Sequence, residues 1–165
     1  MAFKAMNCSY KLVIAGDADH ETSYSRSLRQ MADEDERIVL TGYITGEPLN
    51  QIFTFARLFV LPSYHEGLPI ALLEALSYGL SVLVSDIPAN KQVGLSSERY
   101  FQCGNMLDLK NKMEAFLQKE LTENEQQDIR DLIDEKYNWD KIADQTIGVY
   151  EKVLIKYTNK KNMCR

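Results

Sequence analysis

Short apolar runs alternate with amphipathic stretches along most of this chain. Runs rich in Leu, Val and Ile predict strands at residues 11–15, 37–40, 58–61 and 81–85, and residues 99–102 predict a short fifth strand. The amphipathic stretches between them predict helices. Strands that are apolar throughout and alternate with helices are typical of a parallel sheet covered on both sides. We therefore predict an α/β fold, with a parallel sheet and helices on both faces.

The pattern is clearest over residues 58–86. An apolar run stops at Pro62, a helix follows from Pro69 at its first position to Gly79, and a second apolar run comes next. Strand, helix and strand within about thirty residues make a βαβ unit. Its helix begins where the first strand ends, so its unpaired N–H groups form a site suited to phosphate.

Two carboxylates flank the start of this helix. Glu66 lies in the loop before it, and Glu74 lies about a turn and a half inside it. Glu74 could accept hydrogen bonds from two neighbouring hydroxyl groups. A purely structural explanation also exists, because the helix dipole favours acidic residues in the first turns and Gly-Leu-Pro is ordinary capping sequence. His65, between the two, is either part of the pocket or an exposed loop residue.

Residues 63–69, Leu73-Glu74-Ala75-Leu76, Gly79 and residues 82–86 together resemble the nucleotide-sugar signature of retaining GT-B glycosyltransferases, particularly family 4. The resemblance implies that Glu66, as the catalytic residue, contacts the transferred sugar and that Glu74 holds the ribose hydroxyls. It also implies that further donor-binding positions lie in two loops, at Gly67, Leu68, Ile70 and Ala71 for the diphosphate and at Ile44 and Thr45 for the base. Many members have Gly where this chain has Pro69, which cannot donate an N–H.

The resemblance covers nearly the whole chain but only about half of such an enzyme. It implies that residues 1–165 form one domain with a Rossmann-like parallel sheet, the C-terminal nucleotide-sugar-binding half of a GT-B fold, truncated at its N-terminus. Residues 138–158 resemble the closing helix of the family. The resemblance implies another strand and helix ahead of residue 11, for which residues 1–9, short and helix-compatible, offer no match, so the sheet is expected to lack its first strand. Strands 11–15 and 58–61 should then pair directly or leave a gap that another segment fills.

Composition and charge argue against several classes of function, among them nucleic-acid binding and membrane spanning. The chain has 165 residues, 45% of them apolar, which suits one domain with a substantial core. A net charge of −5 without a basic face argues against nucleic-acid binding. The longest apolar runs are too short to span a membrane. Three scattered cysteines, at positions 8, 103 and 164, favour a reducing compartment such as the cytoplasm.

The C-terminal third predicts helices and a basic tail. Thr122 and Glu125 have the spacing of a capping box. Apolar residues at helical spacing then predict a packing stripe on the last helix, formed by Trp139, Ile142, Ala143, Ile147, Tyr150 and Leu154. The tail carries Lys156, Lys160, Lys161 and Arg165. It is either solvated or in peripheral contact with the inner face of a membrane.

A second loop offers a different hypothesis. Asp17-x-Asp19 follows the first predicted strand, as does the Asp-x-Asp pair of GT-A glycosyltransferases, which binds a divalent metal. Acidic residues are also common in loops that precede helices. Because the loop at Glu66 already provides a metal-free phosphate site, we predict no metal and no cofactor.

The resemblance thus implies a hexosyl-type glycosyltransferase of polysaccharide biosynthesis. It would move a sugar from a nucleoside diphosphate sugar to an acceptor hydroxyl with retention and without metal. Its acceptor domain would be a missing N-terminal half, and the family's cationic diphosphate clamp has no counterpart here, so the isolated chain is predicted to be inactive. The alternatives are a non-catalytic nucleotide-sugar-binding remnant and a GT-B sugar-nucleotide epimerase.

Overall fold

Five short strands form two parallel sheets in the described part of the chain. Strand β1 (Leu12–Ala15) pairs with β2 (Ile38–Gly42). The second sheet has the order β3 (Phe59–Leu61), β4 (Val82–Ser85) and β5 (Tyr100–Phe101). All pairings between these strands are parallel. The predicted α/β class with a Rossmann-like parallel sheet is confirmed.

Helices connect and follow the strands. This computed structural model describes the backbone of residues 2–163 and the side chains of residues 2–157. Its α-helices are α1 (Ser23–Asp33), α2 (Glu47–Phe55), α3 (Ile70–Ser77), α4 (Pro88–Val93), α5 (Met106–Gln118), α6 (Glu123–Lys136) and α7 (Trp139–Met163). Short 3-10 turns occur at Phe3–Ala5 and Ser97–Arg99. The chain divides into two units, Met1–Leu121 and Thr122–Arg165.

Helices lie on both faces of the second sheet. One face packs into a core cluster formed by Phe3, Met6, Ile38, Leu83, Phe101, Met113, Phe116 and Leu117. Strand residues alternate between faces. Val60 packs against the core cluster, whereas the neighbouring Phe59 ring lies 6.1 Å from Phe53 of α2. Helices α5 and α2 therefore lie on opposite faces of the second sheet, as predicted.

The two sheets are separate because β1 and β3 do not pair. Within the described residues, each of these strands has one hydrogen-bonded neighbour. Of the two predicted alternatives, direct pairing is not observed, and among the described residues no strand pairs with both β1 and β3 to fill the gap. Residues 3–5 form a 3-10 turn rather than a strand, and Phe3 and Met6 contribute side chains to the core cluster.

Two local predictions in the first unit are corrected. The sequence predicts a loop over residues 87–90, but Pro88 opens helix α4, because proline presets the helical φ and loses nothing without its N–H in the first turn. Gly94 ends this helix with φ 90°. Pro69 precedes α3 as its N-cap residue instead of opening it, because its ψ of 74° lies outside the helical range.

The second unit contains α6 and α7. The predicted capping box is confirmed: the Thr122 hydroxyl accepts from the Glu125 N–H, and the Glu125 carboxylate accepts from the Thr122 N–H. The predicted packing stripe on α7 is not buried within the second unit, since four of its large residues are more than half exposed, namely Trp139, Ile147, Tyr150 and Leu154. None of the helices described combines the length and hydropathy needed to cross a membrane. The side chains of Lys160, Lys161 and Arg165 lie outside the described residues.

An ion pair at the start of β2 is expected to make stability depend on pH. Arg37 donates to both carboxylate oxygens of Asp35, at 2.9 and 2.7 Å, and to the carbonyl of Met6 at 2.9 Å. The hydrogen bonds from Arg37 lower the pKa of Asp35 to about 2. In the unfolded chain this pKa is about 3.9. The stabilisation is therefore complete above about pH 4 and lost as the pH falls toward about 2.

We expect Asp35→Asn to melt at a lower temperature than wild type at pH 7, with the difference shrinking between pH 4 and pH 2. Thermal unfolding measured across this range tests the expectation. Asp33→Asn, which alters an exposed aspartate two residues away, is the matched control. A difference that stays constant down to pH 2 would contradict the assignment.

Candidate functional site

The loop at residues 62–69 leads from β3 to the open N-terminus of α3. Helices α1 and α5 are capped by the side chains of Thr22 and Asn105, whereas no side chain caps α3. Within the described residues, the amides of Leu68 and Ala71 make no hydrogen bond, whereas the Ile70 amide donates to the Leu68 carbonyl at 2.8 Å. The positive end of this helix therefore presents two N–H groups to an anion.

The two predicted carboxylates have different surroundings. Glu66 is half-buried, and its Oε1 accepts a hydrogen bond from the Ser63 hydroxyl at 2.6 Å. Glu74 is exposed on α3, and no described residue pairs with its carboxylate. Glu66 is thus held by the protein, while Glu74 is available to a ligand. His65 is exposed.

A buried polar network behind Glu66 was not predicted from the sequence. The Ser63 carbonyl accepts from Ser85 Oγ at 2.6 Å and from Cys103 Sγ at 3.7 Å. Asn90 Nδ2 donates to the Ser85 carbonyl at 2.9 Å and to Ser85 Oγ at 3.1 Å. Ser85 and Asn90 are both completely buried. In the sequence, the signal for this network is limited to Ser85, which ends the apolar run of β4, and Asn90, a polar residue that follows it.

Asp86 connects the loops that follow β4 and β5. Its Oδ1 accepts from the Cys103 N–H at 2.8 Å, and its Oδ2 lies 3.7 Å from Lys91 Nζ. The hydrogen bond from the Cys103 amide lowers the pKa of Asp86, and Lys91 adds to the effect. A charged Asp86 therefore fixes the loop after β5 against the loop after β4.

The predicted base-binding residues follow β2. Ile44 is half-buried and Thr45 is exposed, and their backbone groups make no hydrogen bond within the described residues. Helix α2 starts after Gly46, whose φ of 64° suits glycine, and it too lacks a side-chain cap. The structure thus places Ile44 and Thr45 at the end of a strand in one sheet, and Glu66 at the end of a strand in the other.

Two other regions carry charged side chains at loops that follow strands. The Asp17 carboxylate accepts from the Ala18 amide and lies 3.4 Å from Arg29. Among the described residues, no group of three His, Cys, Asp or Glu side chains is placed to hold a metal ion.

An open pocket of about 490 Å³ lies beside β5. It is lined by Asp86, Lys91 and Lys112 among others, but by neither Glu66 nor Glu74.

Comparison with known proteins identifies the family. The sequence profile of the family described as "Glycosyl transferases group 1" matches residues 2–119. The chain belongs to this glycosyltransferase family. The matched region contains both carboxylates, the open N-terminus of α3 and the loop after β2.

Individual relatives agree with the family. An uncharacterized glycosyltransferase of Methanocaldococcus jannaschii is 27% identical over 152 residues, which are 86% of this chain and 37% of the relative. The serotype-specific mannosyltransferase WbdA of Escherichia coli is 27% identical over 118 residues, covering 72% of this chain and 14% of the relative. This glycosyltransferase chain therefore spans well under half the length of these relatives.

Solved structures support the fold of this glycosyltransferase chain. Sucrose-phosphate synthase from Thermosynechococcus elongatus superposes with a TM-score of 0.71 at 22% identity, over 88% of this chain and 38% of that protein. At this identity the likeness shows the fold alone. The fold is that of one half of a GT-B glycosyltransferase, as predicted.

Proposed function

We propose that this chain is the donor-binding part of a glycosyltransferase that moves a hexose from a nucleoside diphosphate sugar to an acceptor hydroxyl. The observation that carries the proposal is the uncapped N-terminus of α3, which presents the amides of Leu68 and Ala71 between Glu66 and Glu74. This arrangement lies inside the region that matches the family.

The diphosphate binds at the start of α3. The helix contributes about half a positive charge there, and hydrogen bonds from backbone N–H groups to phosphate are strengthened by the charge of the ligand. Negative charge grows on the diphosphate as the sugar departs, so a fixed positive end stabilises the transition state more than the ground state. This is how the reaction proceeds without a metal.

The carboxylates bind the two ends of the donor. Glu74, exposed and without a partner in the described chain, accepts hydrogen bonds from the two ribose hydroxyls. Glu66 contacts the transferred sugar and orients it so that departure and attack share one face, which gives retention. Ile44 and Thr45 contact the base through their backbone groups, which no described residue occupies.

The acceptor binds elsewhere. The chain spans 37% of the length of the first relative, so we assign the acceptor site to an N-terminal domain in the part that is not covered. The isolated chain is then inactive, although it binds donor. The name of the Escherichia coli relative, a serotype-specific mannosyltransferase, supports a hexose donor. The unpaired thiols of Cys8 and Cys103 support a cytoplasmic location.

We expect calorimetric titration of the purified chain with UDP, GDP and ADP, each in EDTA, to show weak binding of one nucleotide. Binding in EDTA follows because the helix terminus, not a cation, neutralises the diphosphate. Inorganic phosphate, which lacks the ribose and base, is the control and should bind far more weakly.

The competing functions give different results. If no nucleotide binds, or if binding appears only when a divalent cation is added, the proposed donor site is wrong. Release of free nucleoside diphosphate and an epimerised sugar from a nucleotide sugar, with no acceptor present, would instead identify an epimerase. A binding remnant would hold nucleotide, yet it would stay inactive after the N-terminal part of a relative is fused to it.

A further inference from the structure

Ser63 connects the candidate site to the buried end of a neighbouring strand. Its hydroxyl donates to Glu66 Oε1 at 2.6 Å, and its carbonyl accepts from Ser85 Oγ, also at 2.6 Å. Both distances are at the short end of the range for O–H···O hydrogen bonds, and the first is assisted by the carboxylate charge. Ser63 is therefore fixed by β4 on one side while it holds a carboxylate on the other.

Asn90 holds the Ser85 hydroxyl in place. Asn90 Nδ2 donates to Ser85 Oγ at 3.1 Å, while the Ser85 hydroxyl donates its proton to the Ser63 carbonyl. Ser85 and Asn90 are completely buried, so water does not compete for these groups. A buried hydrogen bond of this kind is costly to leave unmade, which keeps the three residues in one arrangement.

The hydrogen bond from Ser63 restrains the Glu66 side chain and leaves one of its carboxylate oxygens available to a ligand. It engages Oε1 and leaves Oε2 to accept from a ligand hydroxyl. A carboxylate on a loop otherwise samples several rotamers, and the entropy of ordering such a long side chain opposes binding. A side chain that is already ordered binds with less loss of entropy.

We propose that Ser63 is the positioning residue for Glu66, held in place by Ser85 and Asn90, and that this relay makes the site prefer a nucleotide sugar over the bare nucleotide. The nucleotide-sugar ligand in this proposal rests on the function proposed above. The restraint of the loop by Ser63 is independent of that function, because it follows from the hydrogen bonds alone.

Binding selectivity tests the relay. Calorimetry on the full chain compares UDP with UDP-glucose, GDP with GDP-mannose and ADP with ADP-glucose. We expect Ser63→Ala to lower affinity for the preferred nucleotide sugar roughly tenfold and to leave affinity for the bare nucleotide unchanged. Ser63→Thr retains the hydroxyl and should restore selectivity. Thr54→Ala, which removes a hydroxyl that donates to the Asn50 carbonyl on α2, is the matched control.

Loop order tests the relay without any ligand. In nitrogen-15 relaxation measurements, we expect the amide order parameters of residues 64–67 to fall from about 0.85 in wild type to below about 0.6 in Ser63→Ala, and to stay high in Ser63→Thr. Unchanged order parameters overturn the proposal, as does an equal loss of affinity for nucleotide and nucleotide sugar. If wild type binds no nucleotide, the proposed function fails, and the order parameters alone decide whether Ser63 positions Glu66.

Discussion

We expect Glu74→Ala to weaken nucleotide binding by roughly 10- to 100-fold. The carboxylate of Glu74 is proposed to accept hydrogen bonds from two ribose hydroxyls, and a net contribution of about 1.5–3 kcal/mol from hydrogen bonding to this exposed charged group corresponds to a loss of this size. No described residue pairs with this carboxylate, so its removal leaves no buried group unsatisfied. The variant should therefore fold as wild type does, and calorimetric titration with the preferred nucleotide measures the loss directly.

Two further variants sharpen this test. Glu74→Gln keeps hydrogen-bonding oxygen but removes the charge, so its affinity should lie between those of wild type and Glu74→Ala. Glu135→Ala removes an exposed glutamate on α6, in the other unit, and should leave binding unchanged. If Glu74→Ala binds as tightly as Glu135→Ala does, Glu74 is not part of the donor site.

The parallel sheet could be predicted because its strands are apolar throughout. In β4, Val82, Leu83 and Val84 are completely buried, and a strand covered on both faces reads as a continuous apolar run. The family signature falls on the loop and helix that follow β3, which is why the sequence alone was enough to locate Glu66 and Glu74. Their assigned roles remain predictions.

Helix α4 could not be predicted from periodicity because it is too short. Its six residues make fewer than two turns, too few for a repeating apolar face. Pro88 reads as a loop residue in a sequence, although proline is equally suited to the first turn of a helix. The αL glycine at Gly94 was the signal for a helix end.

The exposed face of α7 shows a second limit of sequence patterns. Helical spacing predicts that a helix has an apolar face, but it does not say what covers that face. Trp139 is 75% exposed and Tyr150 is 66% exposed. The pattern was correct for the helix, but the apolar face is not buried within the second unit.

The network behind Glu66 depends on contacts between distant residues. Ser63 and Ser85 are 22 positions apart and meet because parallel pairing brings the ends of β3 and β4 together. A serine at the end of an apolar run is compatible with solvent exposure as well as with burial. Only the folded chain distinguishes a buried hydrogen-bonding partner from a surface residue.

We expect Leu83→Ala to cause the largest loss of stability, about 2–5 kcal/mol. Leu83 is completely buried in the middle of β4, and its side chain belongs to the core cluster with Phe3, Phe101 and Phe116. Removing it loses the transfer free energy of the buried isopropyl group and leaves a cavity that surrounding strands cannot close. Such a loss is a large part of the roughly 5–15 kcal/mol typical of a domain.

Equilibrium unfolding in urea measures this loss, and the probe must report on the correct unit. The single tryptophan, Trp139, lies in α7 within the second unit, whereas Leu83 lies in the first, so its fluorescence is not a direct probe of the core around Leu83. Far-UV circular dichroism, which reports on the strands and helices of both units, is the appropriate signal. Leu107→Ala, at a position 66% exposed on α5, is the matched control and should change stability by less than about 0.5 kcal/mol. A midpoint for Leu83→Ala equal to that of Leu107→Ala would show that β4 is not the centre of the core.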